Sequence, residues 1–509
     1  MSFTQVVETV TGQTMAELRR ARDEAAADLV ELRLDGVEDL DVAGALDGRK
    51  TSVIVTCRPA WEGGRFDGSE EERLEILVEA MRLGADYVDL EFRADRRRFA
   101  SADRGRVVLS YHDFDGMPDD LVARVRAMRA EPAGTVKLAV TPARLTDCLA
   151  LRDAMRFDES HVAIAMGPMG QVTRLCPWLF GSRWTYGGTI APGQVTAREL
   201  VESFRVQRAS SLTAIYAIGG APLAHSASPA MHNAAFAALG MDAVYVPLET
   251  ADGDEFLAVA DAIGVAGASI TAPLKPAMFE RASTLDDLST RTGAVNTLRR
   301  GARGWDGRNF DVAGFLSPFA RQARSLRDSR AVVLGAGGSA RMACFALKQE
   351  GARVSVAARQ PARGRALADE IGVDVAPWPP SSDWDLLVNT TPVGTWPHVD
   401  DAPVGRDVVS GGTVYDLIYN PRETTLLKWA REAGAETIDG LEMLVGQACL
   451  QFAWWTGREA PRDVMEEAAE RFISDRRERA IASEPRERSG ASGPRERARR
   501  RPRGRSPQD

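Results

Sequence analysis

The sequence predicts an α/β protein: an N-terminal (β/α)8 barrel, then a second α/β unit, then a third whose sheet begins with a glycine turn. Three observations carry this prediction. Up to residue 190 eight short β-branched runs recur about 25 residues apart, each followed by a polar cluster and a helical stretch. Near residue 211 a fresh apolar strand, LTAIYAIGG, starts after that pattern has ended. Further on, SRAVVLGAGGSARMACFAL takes a buried β run through glycines into a helix.

The eight runs are QVVETV, LVELRL, SVIVTC, YVDLEF, RVVLSY, TVKLAV, HVAIAM and SRWTYG. An open doubly wound sheet would normally be shorter for that many strands, so the barrel is preferred. In a barrel, chemistry collects at the carboxyl ends of the strands. Those ends carry Glu31 and Arg33, Arg58 with Glu62 beyond it, Asp89 and Glu91, then His112, Lys137 and Arg174. Lys137 sits inside an apolar run whose alternate side chains fill the barrel. There a low dielectric and neighbouring cations are expected to lower its pKa and make the neutral amine a nucleophile towards ketones. A structural lysine fits the pattern equally well, and a lone histidine such as His112 is more often hydrogen-bonded than catalytic. Taken together, an imine on Lys137 would acidify the adjacent C–H, and His112 would move that proton to a departing hydroxyl. That is a dehydration α,β to a carbonyl, with no metal.

The second unit spans 211–320. Its strings HSASP, SITAPLK, GAVNT and NFDVAG are rich in hydroxyls and contain Lys275 and Asp311. They suit a small polyhydroxy substrate, although read alone such a pair is more often a surface salt bridge. The third unit, 321–440, opens with Gly335, Gly337 and Ala340 in a G-x-G-x-x-A turn between strand and helix, an arrangement that receives a pyrophosphate. At the end of VSVAAR stands Arg359, with Arg363 following, where an NAD-binding sheet would carry an acid. Two cations there favour a 2′-phosphate, hence NADP over NAD, the alternative being that both are ordinary solvated surface residues. Helices over 441–473 are expected to return to the second unit.

Five scattered cysteines without a CxxC pair argue against a disulfide framework or a zinc site, and for a reducing cytoplasm. The N-terminal residues lack the plan of a secretory signal, and no apolar run approaches membrane-spanning length. The net charge of -8 is uneven: residues 474–509 hold twelve Arg against six acids, which leaves about -14 elsewhere. This tail is expected to be a disordered, solvated segment, without a membrane or nucleic-acid partner. No oligomeric state is read from the sequence.

The strings ELRLD, TCR, DLEF, SYHDF, VKLAVTP, AMGPMGQVTRL and APGQ occur in the order seen in type I 3-dehydroquinate dehydratases, and residues 1–210 resemble that family. The resemblance implies a TIM barrel in which Lys137 forms a Schiff base with the substrate ketone, His112 shuttles the proton and Glu62 orients it. Glu31, Arg33, Arg58, Arg174 and Gln194 would hold the substrate's hydroxyls and carboxylate. Ile190 stands where that family commonly has serine, so either Thr189 supplies that hydroxyl from a shifted lid or one substrate hydrogen bond is lost.

Residues 211–473, with the strings already quoted plus VNTTPVG, YDLIYNP and DGLEMLVGQ, resemble shikimate dehydrogenases. That resemblance implies Lys275 and Asp311 as the catalytic pair, with Ser226, Ser228, Thr271, Asn296, Tyr419 and Gln447 on the substrate. It places Gly335, Gly337, Gly338, Ala340 and Arg341 on the cofactor, NADP, together with Arg359, Arg363 and Asn389. The combined expectation is one chain that dehydrates 3-dehydroquinate and reduces the product, 3-dehydroshikimate, to shikimate with NADPH, on the route to aromatic amino acids. Quinate as the alcohol substrate, or a non-catalytic metabolite-sensing regulator, are the alternatives. The presence of all four residues Lys137, His112, Lys275 and Asp311 weighs against the regulator.

Overall fold

The computed structural model describes residues 4–156, 160–190 and 193–483. Eight parallel strands form the first unit: β1 (Gln5–Val10), β2 (Leu29–Arg33), β3 (Ser52–Thr56), β4 (Tyr87–Glu91), β5 (Val107–Asp113), β6 (Thr135–Val140), β7 (His161–Ala165) and β8 (Trp184–Gly187). Their order is β7-β6-β5-β4-β3-β2-β1-β8. The ring closes through a parallel bridge between His161 and Ser182, beside which the Arg183 N–H donates to the His161 carbonyl at 2.8 Å. All eight strands fall on the eight β-branched runs.

Period-two alternation decides what each strand contributes. On β6, Val136, Leu138 and Val140 join the core outside the ring, while Ala139 and Lys137 turn inward. Climbing the inner face, β2 offers Leu29, Glu31 and Arg33, β3 leads through Ile54 and Thr56 to Arg58, and β5 offers Val108, Ser110 and His112. The lower interior is therefore apolar, filled by Val7, Leu29, Ile54, Val108, Val162 and Trp184. Only its carboxyl end is charged.

The second sheet consists of β9 (Ala214–Gly220), β10 (Ala243–Glu249), β11 (Val265–Ile270), β12 (Thr284–Leu285), β13 (Thr297–Gly301) and β14 (Gly304–Arg308), in the order β10-β9-β11-β13-β14-β12. β9, β10 and β11 are parallel, and β13 is antiparallel to both of its neighbours. Its Ile215, Ala217, Val244 and Val246 share one apolar core with Leu145, Val172 and Leu175 of the barrel. At the same junction Arg144 pairs with Glu255.

The third sheet is wholly parallel. Its strands are β15 (Arg330–Leu334), β16 (Arg353–Ala357), β17 (Asp374–Val375), β18 (Leu386–Asn389), β19 (Thr413–Asp416) and β20 (Glu436–Ile438), ordered β17-β16-β15-β18-β19-β20. Within the unit this is the 3-2-1-4-5-6 order of a dinucleotide-binding sheet, with its switch point between β15 and β18.

The helix Gly440–Thr456 packs against the helix Asp311–Arg321 and reaches the second sheet, where Gln451 Nε2 donates to Thr297 Oγ1 and Trp455 Nε1 to the Leu298 carbonyl, both at 2.9 Å. The last helix, Arg462–Ser483, runs past the expected boundary at 473. Residues 474–483 contain neither glycine nor proline and include good helix formers, so nothing local stops the helix before Pro485. The rest of the Arg-rich segment, from 484, lies outside the described residues. Among the described residues no helix is long and apolar enough to cross a membrane.

Candidate active sites

Glu31, Arg33, Arg58, Glu62, His112, Lys137, Arg174 and Gln194 line one cavity at the carboxyl ends of the barrel strands. The strands supply Glu31, Arg33, His112 and Lys137; the segments after β3, β7 and β8 supply the others, Glu62 from the 3-10 helix Ala60–Glu62 and Arg174 from the helix Gln171–Leu175. Thr9 and Thr56 each donate a hydroxyl to Glu31 at 2.8 Å. Arg58 bridges Asp89 at 2.8 Å and Glu91 at 2.6 Å, and Arg73 holds the other oxygen of Glu91 at 2.6 Å from the helix Glu70–Arg82. Arg33 is engaged in a two-toothed pair with Asp35, both bonds 2.8 Å. Arg174 differs: it is buried, and its Nε has no partner among the described residues. Burial brings its pKa down to about 10, because desolvation outweighs the pull of Tyr186.

Lys137 Nζ lies 2.9 Å from Asp89 and 3.7 Å from Glu31. The expectation of an amine held uncharged is reversed here. Burial pulls the pKa down, but Asp89, Tyr186 and Glu31 together push it above the ordinary lysine value. The reason is proximity: a carboxylate at 2.9 Å is worth about 6 kcal/mol at an effective dielectric of about 20, comparable with the cost of desolvating the ammonium. The resting amine is therefore an ammonium and must lose a proton before it can attack.

His112 Nδ1 is 2.9 Å from Glu62 Oε1, which also accepts the His112 backbone N–H at 2.9 Å. An ionised Glu62 keeps the proton on Nδ1 and leaves Nε2 as the basic nitrogen. Burial, then the Arg58 and Lys137 cations, hold the imidazole well below its ordinary pKa, so it is neutral. Glu62 moves the other way: burial pushes it up to about 7 against the pull of Arg58.

Thr189 is exposed and does not line the cavity; Ile190 does, with its N–H donating to Gln194 Oε1 at 2.8 Å. Sequence reasoning missed Tyr186, whose ring centre is 4.2 Å from Lys137 Nζ. The signal was available, because Tyr186 has the same parity on β8 as the inward Trp184. It also saw Asp89 only as a strand-end acid, not as the partner of the lysine.

In the second half, Lys275 opens the helix Lys275–Arg281 and Asp311 opens the helix Asp311–Arg321, with Nζ and Oδ2 2.5 Å apart. Asn296 donates to the other oxygen of Asp311 at 2.8 Å, while its own carbonyl accepts from the Phe310 N–H and the Thr297 hydroxyl. Lys275, Asp311 and Thr271 line a cavity of about 670 Å³ together with Gly337, Gly338 and Arg341. Ser226, Ser228, Tyr419 and Gln447 are not brought into its lining. Ser228 N–H reaches Ser226 Oγ at 3.3 Å, Tyr419 reaches the His225 carbonyl at 3.4 Å, and the Gln447 amide donates to the Leu444 carbonyl within its own helix.

A second cavity of about 610 Å³ shares Ala336 and Gly337 with the first and is also lined by Gly335, Arg359, Arg363, Thr390 and Thr391. Gly335 has φ +115°, and a Cβ there would stand 2.7 Å from Thr390 Oγ1. At Gly337 and Gly338 an added Cβ would meet nothing within 4 Å, so the backbone faces open space. The helix Gly338–Gln349 has no side-chain cap, which leaves its first N–H groups for an anion. These features, with the exposed Arg359 and Arg363, fit NADP. Ala340 is buried in helix packing, Arg341 pairs with Glu370 at 2.9 Å, and Asn389 is fully buried beneath Thr391 instead of lining the cleft.

The fold and the two sites define an α/β enzyme with two separate centres on one chain: an amine and imidazole cluster in a barrel, and a lysine and aspartate pair beside a dinucleotide cleft. Residues 3–211 match the family Type I 3-dehydroquinase, 218–298 the Shikimate dehydrogenase substrate binding domain, and 440–470 the Shikimate 5′-dehydrogenase C-terminal domain. The chain is similar to a chloroplastic bifunctional 3-dehydroquinate dehydratase/shikimate dehydrogenase of Arabidopsis thaliana, 33% identical over 87% of this chain and 79% of that one. It also resembles a shikimate dehydrogenase (NADP+) of Moorella thermoacetica, 40% identical over 50% of this chain and 92% of that one. A solved shikimate dehydrogenase in complex with NADP+ covers 52% of this chain and 97% of its own, at 33% identity and a TM-score of 0.50. The chain belongs to the family of bifunctional 3-dehydroquinate dehydratases/shikimate dehydrogenases.

Proposed function

We propose that the chain dehydrates 3-dehydroquinate in the barrel and then reduces 3-dehydroshikimate to shikimate with NADPH in its second half. The observation that carries this is that each catalytic set stands assembled in its own cavity, Lys137 with His112 and Glu62 in one, Lys275 with Asp311 in the other. In our reading the barrel occupies 1–210, the substrate unit 211–320 and the nucleotide unit 321–440, with the C-terminal helices closing the substrate unit. The five cysteines are free, which suits the cytoplasm as the compartment. A coupled assay tests both halves at once: 3-dehydroquinate plus NADPH consumes NADPH and yields shikimate, and failure to turn over 3-dehydroquinate overturns the barrel half.

In the barrel, Lys137 passes its proton to the neutral His112 and its amine adds to the substrate ketone; the imidazolium returns the proton to the carbinolamine hydroxyl, which leaves as water and leaves a protonated imine. His112 takes the proton from the carbon next to the imine, the electrons flow into an enamine, and the same imidazole, now charged, gives a proton to the departing hydroxyl. Water then releases the product and restores the amine. Arg174, a buried cation whose Nε has no partner among the described residues, takes the substrate carboxylate.

Glu62 makes this step sensitive to pH. Because it titrates at about 7 and only its ionised form holds the proton on Nδ1 of His112, dehydration should fall as pH drops through about 7. Glu62→Gln retains an acceptor for Nδ1–H but cannot titrate, so its pH–rate profile should lose that limb; an unchanged limb assigns it to another group. The same shift costs stability. The unfolded chain releases this proton in the usual carboxylate range while the fold keeps it to about 7, so across that window stability falls as pH rises.

In the dehydrogenase, bound NADPH supplies hydride to the carbonyl carbon. Lys275 holds and protonates the oxygen that becomes the alcohol, while Asp311, fixed by Asn296, sets the position of the lysine. Arg359 and Arg363 hold the 2′-phosphate. Replacing both with alanine should lower the preference for NADP+ over NAD+ by about tenfold to a hundredfold in initial rates of shikimate oxidation. An unaltered preference removes them from that role.

A further inference from the structure

We propose that Asp416 is a positioning residue of the dehydrogenase: its carboxylate shapes the Thr390–Thr391 wall of the cofactor cleft through Asn389, and holds the turn carrying Tyr419 through Ile418. The inference rests on NADP occupying that cleft.

Asn389 ends β18, Asp416 ends β19, the two are paired in register, and both are 0% exposed. No lysine, arginine or histidine pairs with Asp416 among the described residues. Three neutral donors serve it instead: Asn389 Nδ2 at 2.9 Å and the Ile418 N–H at 3.1 Å on one oxygen, and the Thr424 hydroxyl at 2.7 Å on the other. Burial lifts its pKa to about 6, and the same three donors restrain the rise. A buried carboxyl without a cation partner carries a desolvation cost that these three donors offset only in part.

It fixes the orientation of the Asn389 carboxamide. With Nδ2 committed to Asp416, Asn389 Oδ1 must face Thr391, where it accepts the backbone N–H at 2.9 Å and the hydroxyl at 2.8 Å. Turned the other way, the amide would point its NH2 at the Thr391 N–H, donor against donor. Thr390, next in the chain, donates to the Leu334 carbonyl at 2.6 Å, immediately before the glycine turn. The wall and the turn on the two sides of the switch point are therefore tied together from below. On the other arm, the Asp416 bond to Ile418 precedes Tyr419, whose hydroxyl reaches His225 beside Ser226.

The test uses the full-length protein, with dehydration by the barrel as an internal control. In Asp416→Asn the amide oxygen still serves Asn389 and Ile418, and the Thr424 hydroxyl can turn to accept, so KM for NADP+ should stay within about threefold of wild type. Asp416→Ala should raise KM for NADP+ by about tenfold or more and KM for shikimate as well, while kcat falls less and dehydration is unchanged. Thr391→Val, which removes one of the two bonds to Asn389, should raise KM for NADP+ about threefold and leave KM for shikimate alone. If Asp416→Ala costs the dehydrogenase its fold, Thr391→Val decides. KM for NADP+ within about twofold of wild type in Thr391→Val, and in any folded Asp416→Ala, overturns the proposal. Wild-type protein that does not oxidise shikimate with NADP+ would instead refute the assignment of the site.

Discussion

Lys137→Ala is expected to abolish dehydration of 3-dehydroquinate, with a loss of about 10⁴-fold or more, and to leave the rate of shikimate oxidation within about twofold of wild type. The size follows from covalency: without the amine there is no imine to acidify the substrate C–H, and the neutral His112 has no comparably acidic proton to take. Independence follows from architecture. Lys137 is on β6 inside a closed ring, whereas Lys275 opens a helix that follows β11 of a different sheet. Removing Lys137 also leaves Asp89 paired with Arg58 at 2.8 Å and bonded by the Ser110 hydroxyl, so the site keeps its main scaffold. Steady-state rates of both reactions on one preparation check this. A comparable loss of both activities would mean that the barrel had unfolded or that the two centres are not independent.

Lys275→Ala is expected to do the converse, lowering kcat for shikimate oxidation by about 10³-fold while dehydration is kept. Lys275 touches Asp311 at 2.5 Å and stands only part-buried at the cavity that also holds the glycine turn, so its loss removes the proton donor without opening a hole in a core. Asp311→Asn should cost less, about 10²-fold, because its amide oxygen can still accept from Lys275 while the charge is lost. If Lys275→Ala changed KM for shikimate alone, the lysine would be a binding residue and the proton would come from elsewhere.

Much of this was legible in the sequence, for identifiable reasons. The barrel was legible because each of its strands is a β-branched run, and period-two alternation converts a run such as TVKLAV directly into one inward lysine between outward apolar residues. The cofactor cleft was legible because a glycine turn between strand and helix is a local feature, readable without tertiary information. What the sequence hid are properties set by distant partners. The charge on Lys137 depends on Asp89, 48 residues away in sequence and 2.9 Å away in space, and no local rule ranks that acid above Arg58. Asn389 looked like a cofactor ligand because it lies next to one; only the pairing of β18 with β19 shows its side chain turned down onto Asp416. Tyr186 escaped because it stands on a four-residue strand, too short for alternation to be persuasive. Thr189 was chosen for its hydroxyl, yet the turn places Ile190 at the cavity and leaves the threonine exposed.

The most direct measurement is to reduce a mixture of the protein and 3-dehydroquinate with borohydride and to locate the adduct by peptide mass spectrometry. A single modified lysine at Lys137, absent from Lys137→Ala, is the outcome the proposed mechanism predicts. Active enzyme that yields no adduct, or one attached to another lysine, contradicts an amine-based dehydratase at this barrel mouth.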